Sequence, residues 1–138
     1  MITSKDEQFF QAAKNISKLS DFKRVHIGCI VVEKHRIISS GYNSNKTCPL
    51  QKRYNTERFS VDTPHCLHAE IKALKPLLNN SEIDFSKVTL YTYRERANGK
   101  IGLSRSCPSC MKLIKDLGIK TIYYTTDDGY AEEKLYIK

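Results

Sequence analysis

The chain has little glycine and little proline, 6 and 4 residues among 138, and this scarcity excludes collagen-like and low-complexity architectures. It also lacks a long apolar run. The longest, Ile27 to Val32, falls far short of the roughly 18 to 20 residues that span a bilayer, so no membrane helix is predicted. The opening Met1-Ile-Thr-Ser-Lys-Asp-Glu7 has neither the basic region nor the apolar stretch of a secretory signal, and the expected compartment is cytoplasmic. Acid is in deficit as well: 15 Asp and Glu against 23 Lys and Arg leave a net charge of +8. That balance favours a phosphate-bearing or polyanionic partner. What is present, 40% hydrophobic and 28% charged residues, is a globular composition, and the length predicts one domain over 1–138.

Ser4-Lys-Asp-Glu7 reads as a capping box opening a helix to about Ser20, with Phe9, Phe10, Ala13 and Ile16 on its buried face. Val25 to Val32 reads as a buried strand, Glu33-Lys-His35 as a turn, and Arg36 to Gly41 as the returning strand. Tyr42 to Pro64 is a long polar loop of the kind that is functional or disordered. His65 to Leu78 has helical spacing, which Pro76 must end near Lys75. Lys87 to Tyr93 is a third strand. Asn98-Gly99 predicts a hairpin, with Tyr91 to Arg96 and Lys100 to Ser104 extending as a ribbon. Cys107 to Leu117 is a helix with Pro108 at its first position and Gly118 beyond its end. Ile119 to Thr125 is a fourth core strand, followed by a turn at Asp127-Asp-Gly129 and a short charged tail. This alternation implies a layered α/β domain.

Five cysteines, an odd number without an export signal, argue against a disulfide framework and for metal or redox chemistry. Cys107-Pro108-Ser109-Cys110 presents two thiols from one helix start, where the helix N-terminus favours thiolates. His68 adds a third donor. Three ligands of this softness suit Zn²⁺ and leave a fourth position for water, and Glu70 can then move that water's proton. Two blander readings stand beside this one. Cys-x-x-Cys alone resembles the thioredoxin redox motif, although no proline follows Pro108. A structural site using Cys66, His68, Cys107 and Cys110 is the other.

His68-Ala69-Glu70 at one helix start, then a strand, then Cys107-x-x-Cys110 at another helix start, resembles the zinc-dependent cytidine and deoxycytidylate deaminase superfamily. The resemblance runs from about Arg24 to Thr125 and includes Gly41-Tyr42-Asn43 at a strand end. It implies a cytidine-deaminase-like, three-layer αβα sandwich around a mixed sheet of about five strands. It further implies zinc on His68, Cys107 and Cys110, Glu70 as proton shuttle, and substrate contacts from Asn43 and the backbone near Ala69. The chain departs from the family pattern at Ser106, where proline is usual, and in the inserted stretch Arg94 to Arg105.

The implied activity is hydrolytic deamination of a cytosine nucleotide, most like deoxycytidylate deaminase. The rivals are a deaminase acting on a base in RNA or single-stranded DNA, and a non-catalytic zinc-stabilised nucleic-acid-binding module. Arg105, two residues before a ligand and suited by its planar fork to phosphate, is the expected phosphate contact. Arg94, Arg96 and Lys100 are expected to steer it. Cys48, His65 and Cys66 are candidates for a second zinc site. The sequence does not decide among the base, the sugar and the oligomeric state, a homo-oligomer included.

Overall fold

Val25–Glu33 forms the central strand β1, and the alternation of its side chains divides the interior in two. Cys29 and Val31 enter one core with Ala69, Leu74, Leu90, Ile114 and Ile122, whereas Ile30 and Val32 enter the other with Phe9, Phe10, Tyr91 and Tyr93. Successive Cβ atoms of a strand point to opposite faces, so a strand buried on both reads as a continuous apolar run. The description rests on a computed structural model and covers residues 2–21, 25–44 and 68–135.

Around β1 lie β2 (Arg36–Tyr42), β3 (Val88–Arg96), β4 (Thr121–Thr125) and β5 (Tyr130–Lys134), in the spatial order β2-β1-β3-β4-β5. The β3–β4 pair is parallel and the other pairs are antiparallel, which makes the sheet mixed. Helix α1 (Ser4–Ser17) covers one face. The other is covered by α2 (Ala69–Leu74), which tightens into a 3-10 turn over Lys75–Leu77, and by α3 (Pro108–Leu117). The parallel pair requires a crossover, and α3 supplies it. The expected layered fold with a five-stranded mixed sheet is therefore present. No helix among the described residues is long and apolar enough to cross a membrane.

Two glycines allow the helices their close approach. A Cβ on Gly28 would lie 2.1 Å from the Ala13 carbonyl of α1, and one on Gly41 would lie 2.6 Å from the Ala69 carbonyl of α2. Neither residue is needed for a turn; both are needed for contact with backbone.

Several expectations are corrected. The capping box of α1 is Thr3 with Asp6, not Ser4 with Glu7, and the helix ends at Ser17. Asn98-Gly99 does turn the chain, with Gly99 in the left-handed region, but the predicted ribbon is reduced to a single bridge between Glu95 and Ile101. Beyond it residues 102–107 are irregular. The charged tail contains β5, an edge strand whose carboxylates accept from Tyr123 and Tyr124 hydroxyls at 2.7 and 3.0 Å. Its polar sequence concealed it. Most of the long polar loop and the residues Cys48, His65 and Cys66 lie outside the described residues.

Candidate active site

Two helix starts converge on the face of the sheet carrying α2 and α3. His68 is the N-cap of α2 and Cys107 the N-cap of α3; both have extended backbone, and neither side chain caps its own helix. Their side chains are therefore left for other partners. Pro108 at the first helical position starts α3 without needing an N–H, and Gly118 ends it in the left-handed conformation, as the sequence predicts. One turn into α3, Cys110 returns beside Cys107.

His68 Nδ1 lies 3.2 Å from Cys110 Sγ and 3.5 Å from Cys107 Sγ. The three donor atoms all lie within 4.8 Å of one another. Tetrahedral zinc with bonds of about 2.1 Å to nitrogen and 2.3 Å to sulfur separates those atoms by about 3.6 Å, so the donors fit the ion in kind and in spacing. Electrostatics point the same way. Hydrogen bonding from Cys110 pushes the Cys107 thiol well down against the opposing effect of burial, and His68 assists. The Cys110 thiol is pushed up by its bond to Cys107 and by burial. Lowering one thiol of the pair favours the thiolate that a soft cation binds.

Glu70 follows on the first turn of α2 and is 5% exposed. Burial raises its carboxyl above the ordinary range, outweighing the attraction of His68 and the hydroxyl of Ser106. Ser106 thus stands where the family pattern has proline and brings a hydroxyl toward the carboxylate. Ala69, expected to meet the substrate through its backbone, is fully buried and is not among the residues that line the cavity. The helix is fixed to the sheet at Gly41 and by Ser39 Oγ, which donates to the Ala73 carbonyl at 2.6 Å.

His68, Glu70 and Cys107 line a cavity of about 330 Å³ whose remaining walls are Val25, Ile27, Asn43, Arg94, Leu103, Ser104 and Arg105. Asn43 is 5% exposed. Its Oδ1 accepts from the Ile27 N–H at 2.9 Å and its Nδ2 donates to the Val25 carbonyl at 3.1 Å. The side chain thus continues the β1–β2 pairing past the strand end while facing the cavity. Arg105 is also on the wall, and its Nε and Nη2 donate to the two carboxylate oxygens of Glu133 at 2.7 and 2.9 Å. Arg94 donates from Nη1 to the Leu103 carbonyl at 3.1 Å. Arg96 instead pairs with Asp127 and does not line the cavity.

Sequence reasoning missed Val25, Ile27, Leu103 and Ser104. The first two could have been found from strand parity, because Ile27 pairs with Arg94 and faces the same side as Cys29. Ser104 had no local signal. Its hydroxyl donates to the Thr92 carbonyl at 2.7 Å and accepts from the Thr125 N–H at 2.8 Å. Thr125 Oγ1 donates to the Gly102 carbonyl at 2.6 Å. This buried clasp seats the inserted segment against the sheet and presents Leu103 and Arg105 to the cavity.

Comparison with known proteins agrees with this arrangement. A family model described as the cytidine and deoxycytidylate deaminase zinc-binding region matches residues 3–126. The chain is 30% identical over 133 residues to a deoxycytidylate deaminase of Schizosaccharomyces pombe, in a match covering 88% of this chain and 37% of that protein. It thus spans well under half of the yeast relative's length. It is 29% identical over 131 residues to the deoxycytidylate deaminase of Mycobacterium phage D29, covering 86% of this chain and 92% of the relative. Among solved structures, the apo dCMP deaminase of cyanophage S-TIM5 superposes with a TM-score of 0.62 at 27% identity, covering 87% of this chain and 81% of that one.

Proposed function

The chain belongs to the cytidine and deoxycytidylate deaminase zinc-binding family, and from that premise we propose that it hydrolyses the exocyclic amine of a cytosine nucleotide, deoxycytidylate being the favoured substrate. The observation that carries the reading is the imidazole-thiol-thiol cluster, of which His68 and Cys107 line the same cavity as the buried Glu70. The two deoxycytidylate deaminases to which the chain is 30% and 29% identical support the choice of substrate.

His68, Cys107 and Cys110 would hold a zinc ion, which would supply Lewis-acid activation of a water at neutral pH. Glu70 does the proton work. Its carboxylate takes a proton from the water and gives it to the ring nitrogen as oxygen bonds to the amine-bearing carbon. It then takes the remaining hydroxyl proton and gives it to the departing amine, so that one ammonia leaves and a carbonyl remains. A carboxyl raised by burial is suited to both halves of this transfer, since it binds and releases protons closer to neutrality. Val25, Ile27 and Leu103 offer apolar surface to a flat base and exclude water from it. Asn43 keeps one amide proton and one carbonyl lone pair for a sugar hydroxyl after its bonds to β1. Arg105 has Nη1 left for the phosphate after its bidentate pair with Glu133, which pre-orients the guanidinium.

The test is ammonia release from deoxycytidylate, its nucleoside and a cytosine-containing oligonucleotide. Turnover of the nucleotide is expected, with loss of about 10²-fold or more in Glu70→Gln while zinc content is retained. An unchanged rate in Glu70→Gln refutes the assignment.

A further inference from the structure

Three arginines, Arg94, Arg96 and Arg105, belong to the inserted stretch, and the fold treats them differently. Arg96 pairs with Asp127, and Arg105 gives Nε and Nη2 to the two carboxylate oxygens of Glu133. Both charges are thus met within the protein. Arg94 has no such partner: among the described residues no ion pair joins it to a carboxylate. Its Nη1 donates to the Leu103 carbonyl at 3.1 Å. Nε, one of the two atoms that Arg105 uses on Glu133, is in Arg94 buried and without a partner.

Strand parity puts Arg94 on the face of the sheet that carries α2 and α3. Leu90 is in the core beneath those helices and Tyr91 and Tyr93 are in the core beneath α1, so Arg94 continues the line of Leu90 and Thr92. It stands opposite Ile27 in the β1–β3 pairing, and both residues line the catalytic cavity. Its backbone is held firmly. The N–H donates to Thr125 Oγ1 at 3.2 Å, and the carbonyl accepts from the Gly102 N–H at 3.1 Å. The bond from Nη1 then ties the guanidinium to Leu103, whose half-exposed side chain borders the same cavity. Glu70 is the one carboxylate among the lining residues, and it forms no ion pair with Arg94.

An arginine does not shed its proton when it is partly buried, so this charge cannot be removed by titration. A cation without a counter-ion and a buried N–H without an acceptor both cost stability, and an anion with several oxygens relieves both at once. A phosphate monoester is such an anion, and its oxygens match the guanidinium fork. We propose that Arg94 is the specificity-determining residue that selects a phosphorylated substrate over the matching nucleoside. Arg105 adds a hydrogen bond from its remaining Nη1 but little net charge, because Glu133 neutralises it. The roles expected from the sequence, Arg105 as the contact and Arg94 as the steering charge, are thereby exchanged in weight. The inference rests on the reading of this cavity as the site of a cytosine nucleotide deaminase.

The test compares the zinc-loaded full chain with Arg94→Met, which keeps the apolar stem, Arg94→Lys, which keeps the charge without the fork, and Arg105→Met. Ammonia release from deoxycytidylate and from deoxycytidine gives kcat/KM for each, and calorimetric titration with deoxyuridylate and deoxyuridine gives the same contrast without turnover. The wild-type chain should prefer the nucleotide in both measurements. Arg94→Met should cut the nucleotide-over-nucleoside ratio by about tenfold or more, the equivalent of one strong contact. Its zinc content should be retained and its kcat/KM for deoxycytidine should stay within about twofold of wild type. Arg105→Met should cut the ratio less, and Arg94→Lys should keep part of it because the charge remains. A wild-type chain without the preference, a preference unchanged in Arg94→Met, or a larger loss in Arg105→Met overturns the proposal. An equal fall on nucleotide and nucleoside, the mark of a merely structural role, overturns it too, and Arg94→Lys decides the same question if Arg94→Met does not fold. A wild-type chain that releases no ammonia from either substrate overturns instead the function on which the proposal rests.

Discussion

Substitution of Gly41 by alanine should damage catalysis without touching any catalytic group. The added Cβ would lie 2.6 Å from both the Ala69 carbonyl oxygen and the Ala73 nitrogen, and 3.0 Å from the Lys72 carbonyl carbon. All three are backbone atoms of α2, so no side chain can swing aside. Ordinary contact begins near 3.4 Å, and α2 must therefore retreat from β2 by about 0.8 Å. Overpacking of this kind costs about 1 to 3 kcal/mol of stability. The same helix carries Glu70 and starts from His68 at its N-cap position. A displacement approaching 1 Å at a reacting group costs on the order of 10²-fold in rate. Gly41→Ala should thus lose about 10²-fold in kcat/KM, measured as ammonia release per folded, zinc-loaded molecule. Gly28→Ala is the control. Its Cβ would meet the Ala13 oxygen at 2.1 Å and the Ser17 nitrogen at 2.5 Å, a more severe clash, but with α1 on the face away from the candidate active site. It should melt lower than Gly41→Ala and keep its activity per folded molecule. Undiminished kcat/KM in Gly41→Ala, or a greater specific loss in Gly28→Ala, would refute the coupling of this contact to the site.

Arg105→Ala should raise KM for a nucleotide well above its effect on the matching nucleoside, and Glu133→Gln should give a smaller rise because it loosens the guanidinium without removing it; equal effects on nucleotide and nucleoside would exclude a phosphate role. Asn43→Asp keeps an acceptor for the Ile27 N–H but loses the donor to the Val25 carbonyl. It should cost about 1 to 3 kcal/mol, read in a denaturant titration, and also lower kcat/KM; unchanged stability would mean that the amide does not hold the wall. Cys110→Ser, or exhaustive chelation, should remove both zinc and activity and lower the melting temperature, because a site fully assembled only in the folded chain stabilises that fold when filled. A chelated protein that melts at the same temperature would count against zinc at this cluster. Ser104→Ala should orphan the Thr125 N–H and release the segment carrying Leu103 and Arg105. Its expected signature is a higher KM with zinc content intact, checked by steady-state kinetics beside metal analysis.

Much of this was legible without coordinates because it depends on local chemistry. The apolar β-branched run from Val25 fixes a strand buried on both faces, and Pro108 and Gly118 bracket a helix by what their backbones permit. His-x-Glu and Cys-x-x-Cys at helix starts mark a candidate donor set with a carboxylate close by, and the resemblance to the family supplies the expected roles. Other features depend on partners remote in sequence, and only the tertiary structure decided them. β5 is polar because it is an edge, and what holds it, besides pairing with β4, is hydrogen bonding to Tyr123, Tyr124 and Arg105 from segments that give no hint of it. Ser104 and Thr125 become a clasp only where the inserted segment meets the sheet. Gly41 is indispensable because α2 arrives against it at backbone distance. Residue types are set by what a side chain can do. Which of them meet is set by the packing of two helix layers on one sheet, and no window of sequence contains that information.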